Sequence, residues 1–132
     1  MAKKITAIRK LRPEIKRERT RQTRQVVEDI ARSTGLSEGE IRFVTYELRD
    51  VILMAHQVGQ AVKIEGLGTF TPTIRADGQF DILFRPDPEM LRQLNDPTRW
   101  YAKILNKRNI GKSADELAAQ WNEAHPDDPV EE

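Results

Sequence analysis

The sequence predicts an α+β fold: a helical hairpin, a small antiparallel β-sheet with a short hairpin, and extra C-terminal helices. Three observations carry this. Ala61 to Phe70 reads AVKIEGLGTF, in which Val62 and Ile64 alternate with Lys63 and Glu65, the period of a half-buried strand. Upstream, two segments carry apolar residues at helical spacing. Downstream, Phe80, Ile82 and Phe84 alternate as a return strand after an Asp-Gly turn.

Taken in order, Lys3 to Leu11 (KKITAIRKL) reads either as a short edge strand with Ile5 and Ala7 on one face or as a disordered basic arm, the strand being favoured. Pro13 interrupts any regular element. Glu14 to Arg24 is too polar to bury and reads as a linker or solvated first turn. Thr20 or Thr23 caps a helix to about Ser33, with Val26, Val27, Ile30 and Ala31 as its stripe and Gly35 at its end. Ser37-x-x-Glu40 is a capping box for a second helix to His56 or Gln57. Its apolar residues Ile41, Val44, Leu48, Val51, Ile52 and Ala55 keep helical spacing, and Phe43, Leu53 and Met54 widen the stripe past half the circumference. Such a helix needs two partners. A small sheet supplies one, so a dimer packed through second helices is expected.

Gly66 and Gly68 flank Leu67 in a bulge or tight bend, since glycine takes the required dihedrals without steric cost. Ala76-Asp77-Gly78-Gln79 predicts a type I′ turn. Asp87-Pro88 opens a short helix through Leu94. Asp96-Pro97 opens another, from about Thr98 to Asn106, with Trp100/Ile104 and Tyr101/Leu105 as i,i+4 pairs. Ser113-x-x-Glu116 caps a last helix with Ala114, Leu117, Ala118 and Trp121 as its stripe. His125 to Glu132, proline-containing and acidic, is expected to be disordered. The chain thus divides into 1–20 (basic arm or edge strand), 21–95 (the α+β domain), 96–124 (a helical extension) and 125–132 (an acidic tail).

The 132 residues carry 22 Lys and Arg against 21 Asp and Glu, a net charge of +1, but unevenly. Residues 1–24 hold ten cations against Glu14 and Glu18, whereas residues 111–132 hold Lys112 against seven acids. A basic start and an acidic end suit a polyanionic partner, or each other. The absence of cysteine excludes a disulfide framework, thiolate chemistry and a thiolate metal site. No apolar run approaches the roughly 18 residues of a membrane span, and the N-terminus lacks an apolar signal core, so a cytoplasmic protein is expected.

Leu36-Ser37 followed at this distance by Gly66-Leu67-Gly68-Thr69-Phe70, with Gly59 before the strand and Phe84-Arg85 leading to the closing helix, resembles the HU/IHF family of histone-like bacterial DNA-binding proteins over roughly Arg21 to Asn95. The resemblance implies an HU/IHF-like intertwined homodimer whose helices form a base and whose sheets form a saddle facing double-stranded DNA, hence a nucleoid location. The chain departs from the family at the β-ribbon arm. Only Arg75 to Gln79 joins the two strands, the Arg-Asn-Pro tip is absent, and Pro72 lies too near the Gly-Thr-Phe turn to wedge between base pairs. Sharp kinking by intercalation is therefore not expected.

The candidate DNA-binding residues are Lys3, Lys4, Arg9, Lys10, Arg12, Lys16, Arg17, Arg19, Arg21 and Arg24 of the basic segment, with Lys63, Arg75 and Arg85 on the saddle. Cations that neutralise phosphates release counterions and give affinity without sequence reading; five such contacts imply a log–log salt slope of roughly −4 to −5. Six of the ten N-terminal cations are arginines, suited to bidentate phosphate contacts. The expected dimer core is Phe43, Val44, Leu48, Val51, Ile52, Phe70, Phe80, Ile82 and Phe84. Gly66 and Gly68 are structural.

His56 and His125 have no companions at metal-ligand spacing, so no metal or other cofactor is expected. Trp100 and Trp121 read as core or docking residues rather than base-stacking platforms. No Ser-His-Asp set, phosphate loop or carboxylate pair emerges, so the chain reads as a non-enzyme. Two alternatives stay open: a dimeric scaffold of the same fold that has lost DNA binding and docks a protein partner through residues 96–124, and an RNA binder. The acidic tail folding back on the basic arm in competition with DNA is a further possibility.

Overall fold

A computed structural model describes residues 1–131. In chain order the elements are α1 (Lys4–Leu11), β1 (Glu14–Ile15), α2 (Thr23–Thr34), α3 (Glu38–Gln57), β2 (Val62–Ile64), β3 (Gly68–Ile74), β4 (Phe80–Pro86), α4 (Pro88–Leu94), β5 (Ile104–Leu105) and α5 (Ala114–Ala124), with 3₁₀ turns at Pro97–Arg99 and Lys107–Asn109. They form two compact units. One spans residues 20–100, and the other combines residues 1–19 with 101–131.

In the first unit, α2 and α3 make the helical hairpin. Helix α2 is capped by Gln22 rather than Thr20 or Thr23: the Gln22 amide donates to the Gln25 side chain at 2.9 Å, and Thr23 is already helical. Gly35 ends α2 with φ 75°, the left-handed conformation that a C-terminal glycine supplies. Ser37 caps α3 by accepting from the Glu40 amide at 3.1 Å. Val27, Ile41 and Ile52 are the buried side chains of the hairpin.

The sheet has the order β2-β3-β4 and is antiparallel throughout. The expected interruption in AVKIEGLGTF is a hairpin turn between two strands. The Leu67 amide donates to the Ile64 carbonyl at 3.1 Å, and Gly66 takes φ 83° in the turn. Gly68 has a different role. A Cβ there would lie 2.3 Å from the Arg85 carbonyl oxygen and 2.7 Å from the Phe84 ring. Only glycine lets β3 and β4 come this close, and Phe84 packs on Phe70 beyond it with ring centroids 4.7 Å apart.

The β3–β4 loop is not the expected type I′ turn. Gly78 has φ 87°, but Asp77 does not have a positive φ. The Gly78 amide donates to the Arg75 carbonyl at 2.9 Å and the Arg75 amide to the Gln79 carbonyl at 2.8 Å, a three-residue loop ending in one left-handed glycine. Asp77 Oδ1 accepts from the Gln79 amide at 3.0 Å, so its side chain holds the turn in place of a second positive φ. Asp87 caps α4 as its sequence predicts, accepting from the Glu89 amide at 3.0 Å.

The second unit overturns three expectations. Lys4–Leu11 is a helix, neither a strand nor a disordered arm. Its buried side is Ala7 with half-buried Ile8 and Leu11, at helical spacing, while Ile5 stays exposed; the fully buried Ala7 lies in the contact of α1 with α5. The predicted helix from Thr98 to Asn106 is only the turn Pro97–Arg99, capped by Asp96, after which the chain is extended and pairs Ile104 with Ile15 and Leu105 with Glu14. Asn106, at φ 55°, cannot continue a helix, and its Nδ2 donates to the carbonyls of Lys10 (2.8 Å) and Arg12 (3.0 Å). Asn109 is buried and donates to the Leu11 carbonyl at 2.6 Å.

The segment after His125 is folded back rather than disordered. Val130 bridges Ala2, the Trp121 indole donates to the Asp128 carbonyl at 2.8 Å, and the Val130 amide donates to Asn122 Oδ1 at 2.7 Å. Helix α5 itself follows its sequence, capped by Ser113 and burying Leu117 and Trp121. Glu132, the last residue of the predicted tail, lies outside the described residues.

Two predictions follow from these contacts. Gly68→Ala forces the Arg85 carbonyl and the Phe84 ring apart and should cost at least about 2 kcal/mol of stability in denaturant titration, whereas Gly39→Ala, with open space around it, should cost nothing comparable. The second concerns Asp115, whose carboxyl is held below its ordinary value first by the hydrogen bond from Lys4 and then by the Lys4 charge. A depressed carboxyl contributes stability that is present above its unfolded value of 3.8 and is lost as pH falls through the folded one. Asp115→Asn should therefore flatten part of the acid limb in thermal melts as the pH falls below about 5.

Candidate nucleic-acid interface

The sheet in the first unit is two-sided, and its register decides which residues share each side. Val62 opposes Phe70, and Phe70 opposes Phe84; Pro72 opposes Ile82, and Ile74 opposes Phe80. These apolar residues alternate onto one face. Phe70 and Ile82 of that face line an apolar groove with Thr45, Leu48, Arg49, Ile52 and Leu53 of α3, so this face turns toward the helix.

The other face carries the charge. Lys63 opposes Thr69, and Thr69 opposes Arg85, a row of two cations around one hydroxyl across all three strands. Lys63 and Arg85 are exposed and have no ion-pair partner among the described residues. Farther along the same face Arg75 meets Asp81 at 2.8 Å. The Asp81 carboxyl is held below its ordinary value by that hydrogen bond, by the Ile82 amide and by the Arg75 charge. Thus the structure brings Lys63, Arg75 and Arg85 onto one face and compensates one of them. Pro72 lies inside β3, paired with Ile82, and at no tip.

The ten N-terminal cations separate into groups. Lys4 pairs with Asp115, Arg21 with Asp29 at 2.7 Å, and Arg24 with Glu28 at 3.6 Å. The Lys10 ammonium sits 5.4 Å from the centroid of the Trp121 ring, whose other stacking partner is His125 at 3.8 Å. Lys3, Arg9, Arg12, Lys16, Arg17 and Arg19 are exposed and unpaired among the described residues. The N-terminal ammonium lies 3.5 Å from Asp128, so the acidic end of the chain does meet its basic start. The sequence reading missed Lys103, Lys107 and Arg108. They belong to a local basic stretch, residues 97–114 carrying five cations and no acid, and the pairing of β1 with β5 sets them beside the N-terminal basic segment.

Of the expected dimer-core residues, Ile52 is buried within the single chain and Phe70 is half-buried. Phe43 (67% exposed), Val44, Leu48, Val51, Phe80 (83% exposed), Ile82 and Phe84 are exposed. His56 Nδ1 donates to the Gln60 carbonyl at 2.8 Å. Among the described residues no group of three or more His, Asp or Glu side chains is placed to hold a metal ion, and no helix is long and apolar enough to cross a membrane.

A mutant of HU from Thermotoga maritima aligns in structure with a TM-score of 0.48 and 16% sequence identity, covering 56% of this chain and 99% of that one. No curated protein matches the sequence. The family described as an HU domain fused to a wHTH, Ig or glycine-rich motif matches residues 2–84, well over half of the chain. With its helical hairpin, its Gly-Leu-Gly-Thr-Phe turn and its two-sided sheet, the chain belongs to this HU-domain family.

Proposed function

We propose that this protein is an HU-type binder of double-stranded DNA, largely indifferent to sequence, that coats or compacts DNA as a homodimer at the bacterial nucleoid. The observation that supports this reading most is the sidedness of the sheet, with the Lys63–Thr69–Arg85 row on one face and an apolar face turned toward α3 on the other. The charged face offers phosphate contacts. The apolar residues left exposed on α3 and β4 offer the surface for a second copy.

The chemistry needs no catalytic group. Cations that neutralise phosphates gain free energy by releasing condensed counterions, and this gain does not depend on base identity. The proposed contacts are to phosphates, which position the protein without specifying a sequence. The three-residue Ala76–Gly78 loop is too short for a wedge-bearing arm, so bending by intercalation is not part of the proposal.

A second reading, a dimeric scaffold without DNA binding, draws on the ion pairs that already occupy Lys4, Arg21, Arg24 and Arg75. Gel-shift titration of random duplex DNA at low and moderate salt separates the two. The proposal expects retardation that weakens steeply with salt, and no retardation at low salt would reject it. Replacing Lys63 and Arg85 together by alanine should reduce the magnitude of the log–log salt slope by about 2 for each bound chain. Sedimentation equilibrium should give twice the chain mass, and Val44→Glu with Val51→Glu should return it to that of single chains.

A further inference from the structure

The β1–β5 ribbon places cations from both ends of the chain side by side. Ile15 opposes Ile104, and one step on, the Lys16 amide donates to the Lys103 carbonyl at 2.9 Å. Lys16 and Lys103 are therefore directly opposed, and like charges in that position repel. The next turn, Lys107–Asn109, is clamped to the end of α1. Asn106 Nδ2 donates to the carbonyls of Lys10 and Arg12, and Asn109 Nδ2 to that of Leu11. This brings the backbone of Lys107 and Arg108 beside that of Arg12.

Arg12, Lys16, Lys103, Lys107 and Arg108 are all exposed, and none has an ion-pair partner among the described residues. Glu14 alternates onto the same side of the ribbon as Lys16 without pairing with any of them. The acids of this unit that do pair, Asp115 and Asp128, pair with Lys4 and the N-terminal ammonium instead. The ribbon cations share their lack of a carboxylate partner among the described residues with Lys3, Arg9, Arg17 and Arg19 of the same unit, but they differ in being held on paired backbone with two of them, Lys16 and Lys103, directly opposed. A run of phosphates relieves that repulsion and gains counterion release at the same time.

We propose that the β1–β5 ribbon with the Lys107–Asn109 turn is a phosphate-backbone site for double-stranded DNA, completed by Lys103, Lys107 and Arg108 from the C-terminal part of the chain. This rests on the reading of the protein as a DNA binder and adds to it a second contact surface outside the sheet. It replaces the flexible arm of the sequence expectation with cations held on folded backbone, so that less ordering accompanies binding.

The test uses the full-length protein and random duplex DNA over a range of salt concentrations. Lys103→Ala with Lys107→Ala and Arg108→Ala should reduce the magnitude of the salt slope by about 2 to 3 and weaken binding about ten- to a hundredfold at roughly 0.1 M salt. The charge-preserving triple Lys103→Arg, Lys107→Arg, Arg108→Lys should keep the wild-type slope. A triple removing equal charge from other helices, Arg32→Gln, Arg49→Gln and Arg92→Gln, should change the slope far less.

Equal effects from the two charge-removing triples, or none from the first while the wild-type protein binds, would overturn the ribbon site and leave the DNA-binding reading standing. Wild-type protein that ignores duplex DNA at every salt concentration would overturn that reading, and the site with it. Structured RNA outcompeting the duplex would overturn the assignment to DNA. Lysine acetylation of the unmodified chain gives an answer independent of variant folding: duplex DNA should protect Lys16, Lys103 and Lys107 but not Lys112, and equal labelling with and without DNA would refute the proposal.

Discussion

The approach of β3 to β4 at Gly68 is the constraint on which the domain's two-sidedness depends. A side chain at this position would meet the Arg85 carbonyl and the Phe84 ring, so the strands close at this distance only where the side chain is a hydrogen. The closure fixes Gly68 opposite Pro86, and every later pair follows from it. Strand pairing has a side-chain period of two, so a slip of β4 by one residue against β3 would move Ile82 and Phe84 to the charged side and Arg85 to the helix side. The position of Arg85 on the same face as Lys63 thus depends on a missing methyl group at Gly68, the residue beside Thr69 of that row.

The ends of the chain are joined by a different kind of contact. Two asparagines, Asn106 and Asn109, satisfy the carbonyls that α1 leaves open at its C-terminus. An α-helix ends with unpaired carbonyls, and side-chain amides are among the groups that complete them. Asn106 does so from a left-handed backbone conformation, which asparagine tolerates better than most residues. The same contact stops the extended segment from winding into a helix and aligns β5 with β1. A segment that reads as an edge strand or a basic arm is therefore a helix whose end is held by hydrogen bonds to residues more than ninety positions away.

This explains which parts of the fold were legible in the sequence. The caps at Gly35, Ser37, Asp87 and Ser113 were legible because each acts within three or four residues of itself. Helices α2 and α3 and the alternating strands were legible because their periods run long enough to exclude the alternatives. Helix α1 was not: in nine residues Ile5 and Ala7 fit a strand as well as Ala7, Ile8 and Leu11 fit a helix, and only burial against α5 decides between them. The i,i+4 pairs Trp100/Ile104 and Tyr101/Leu105 suggested a helix that a two-residue strand partner overrides. The acidic tail has the composition of a disordered segment, yet the Trp121 indole, the Asn122 amide side chain and the N-terminal residues each bind it back. For the interface, alternation put Lys63 on the solvent face of its strand and the family resemblance suggested Arg75 and Arg85 for the saddle, whereas Lys103, Lys107 and Arg108 become neighbours of the basic segment only through tertiary closure.

In the proposed complex with DNA, ion pairing at Lys4, Arg21, Arg24 and Arg75 leaves these cations within reach of phosphates. Each pair is largely exposed to water. Water screens such pairs, and holding two long side chains in one geometry costs entropy, so they add little to stability. A phosphate competes for the cation on better terms than the carboxylate, because it forms contacts of similar geometry and also sheds the counterions condensed along the duplex. The exposed carboxylates then serve as placeholders that keep the free protein near neutral. The ribbon cations differ in having no placeholder. Within the unit built from the two chain ends, carboxylates of α5 and the acidic tail pair with Lys4 and the N-terminal ammonium, whereas the cations along β1, β5 and the turn after them, like Lys3 and Arg9, have no such partner among the described residues. This division of charge gives that unit a direction, and in the proposed complex a polyanion meeting the ribbon displaces no carboxylate in order to bind.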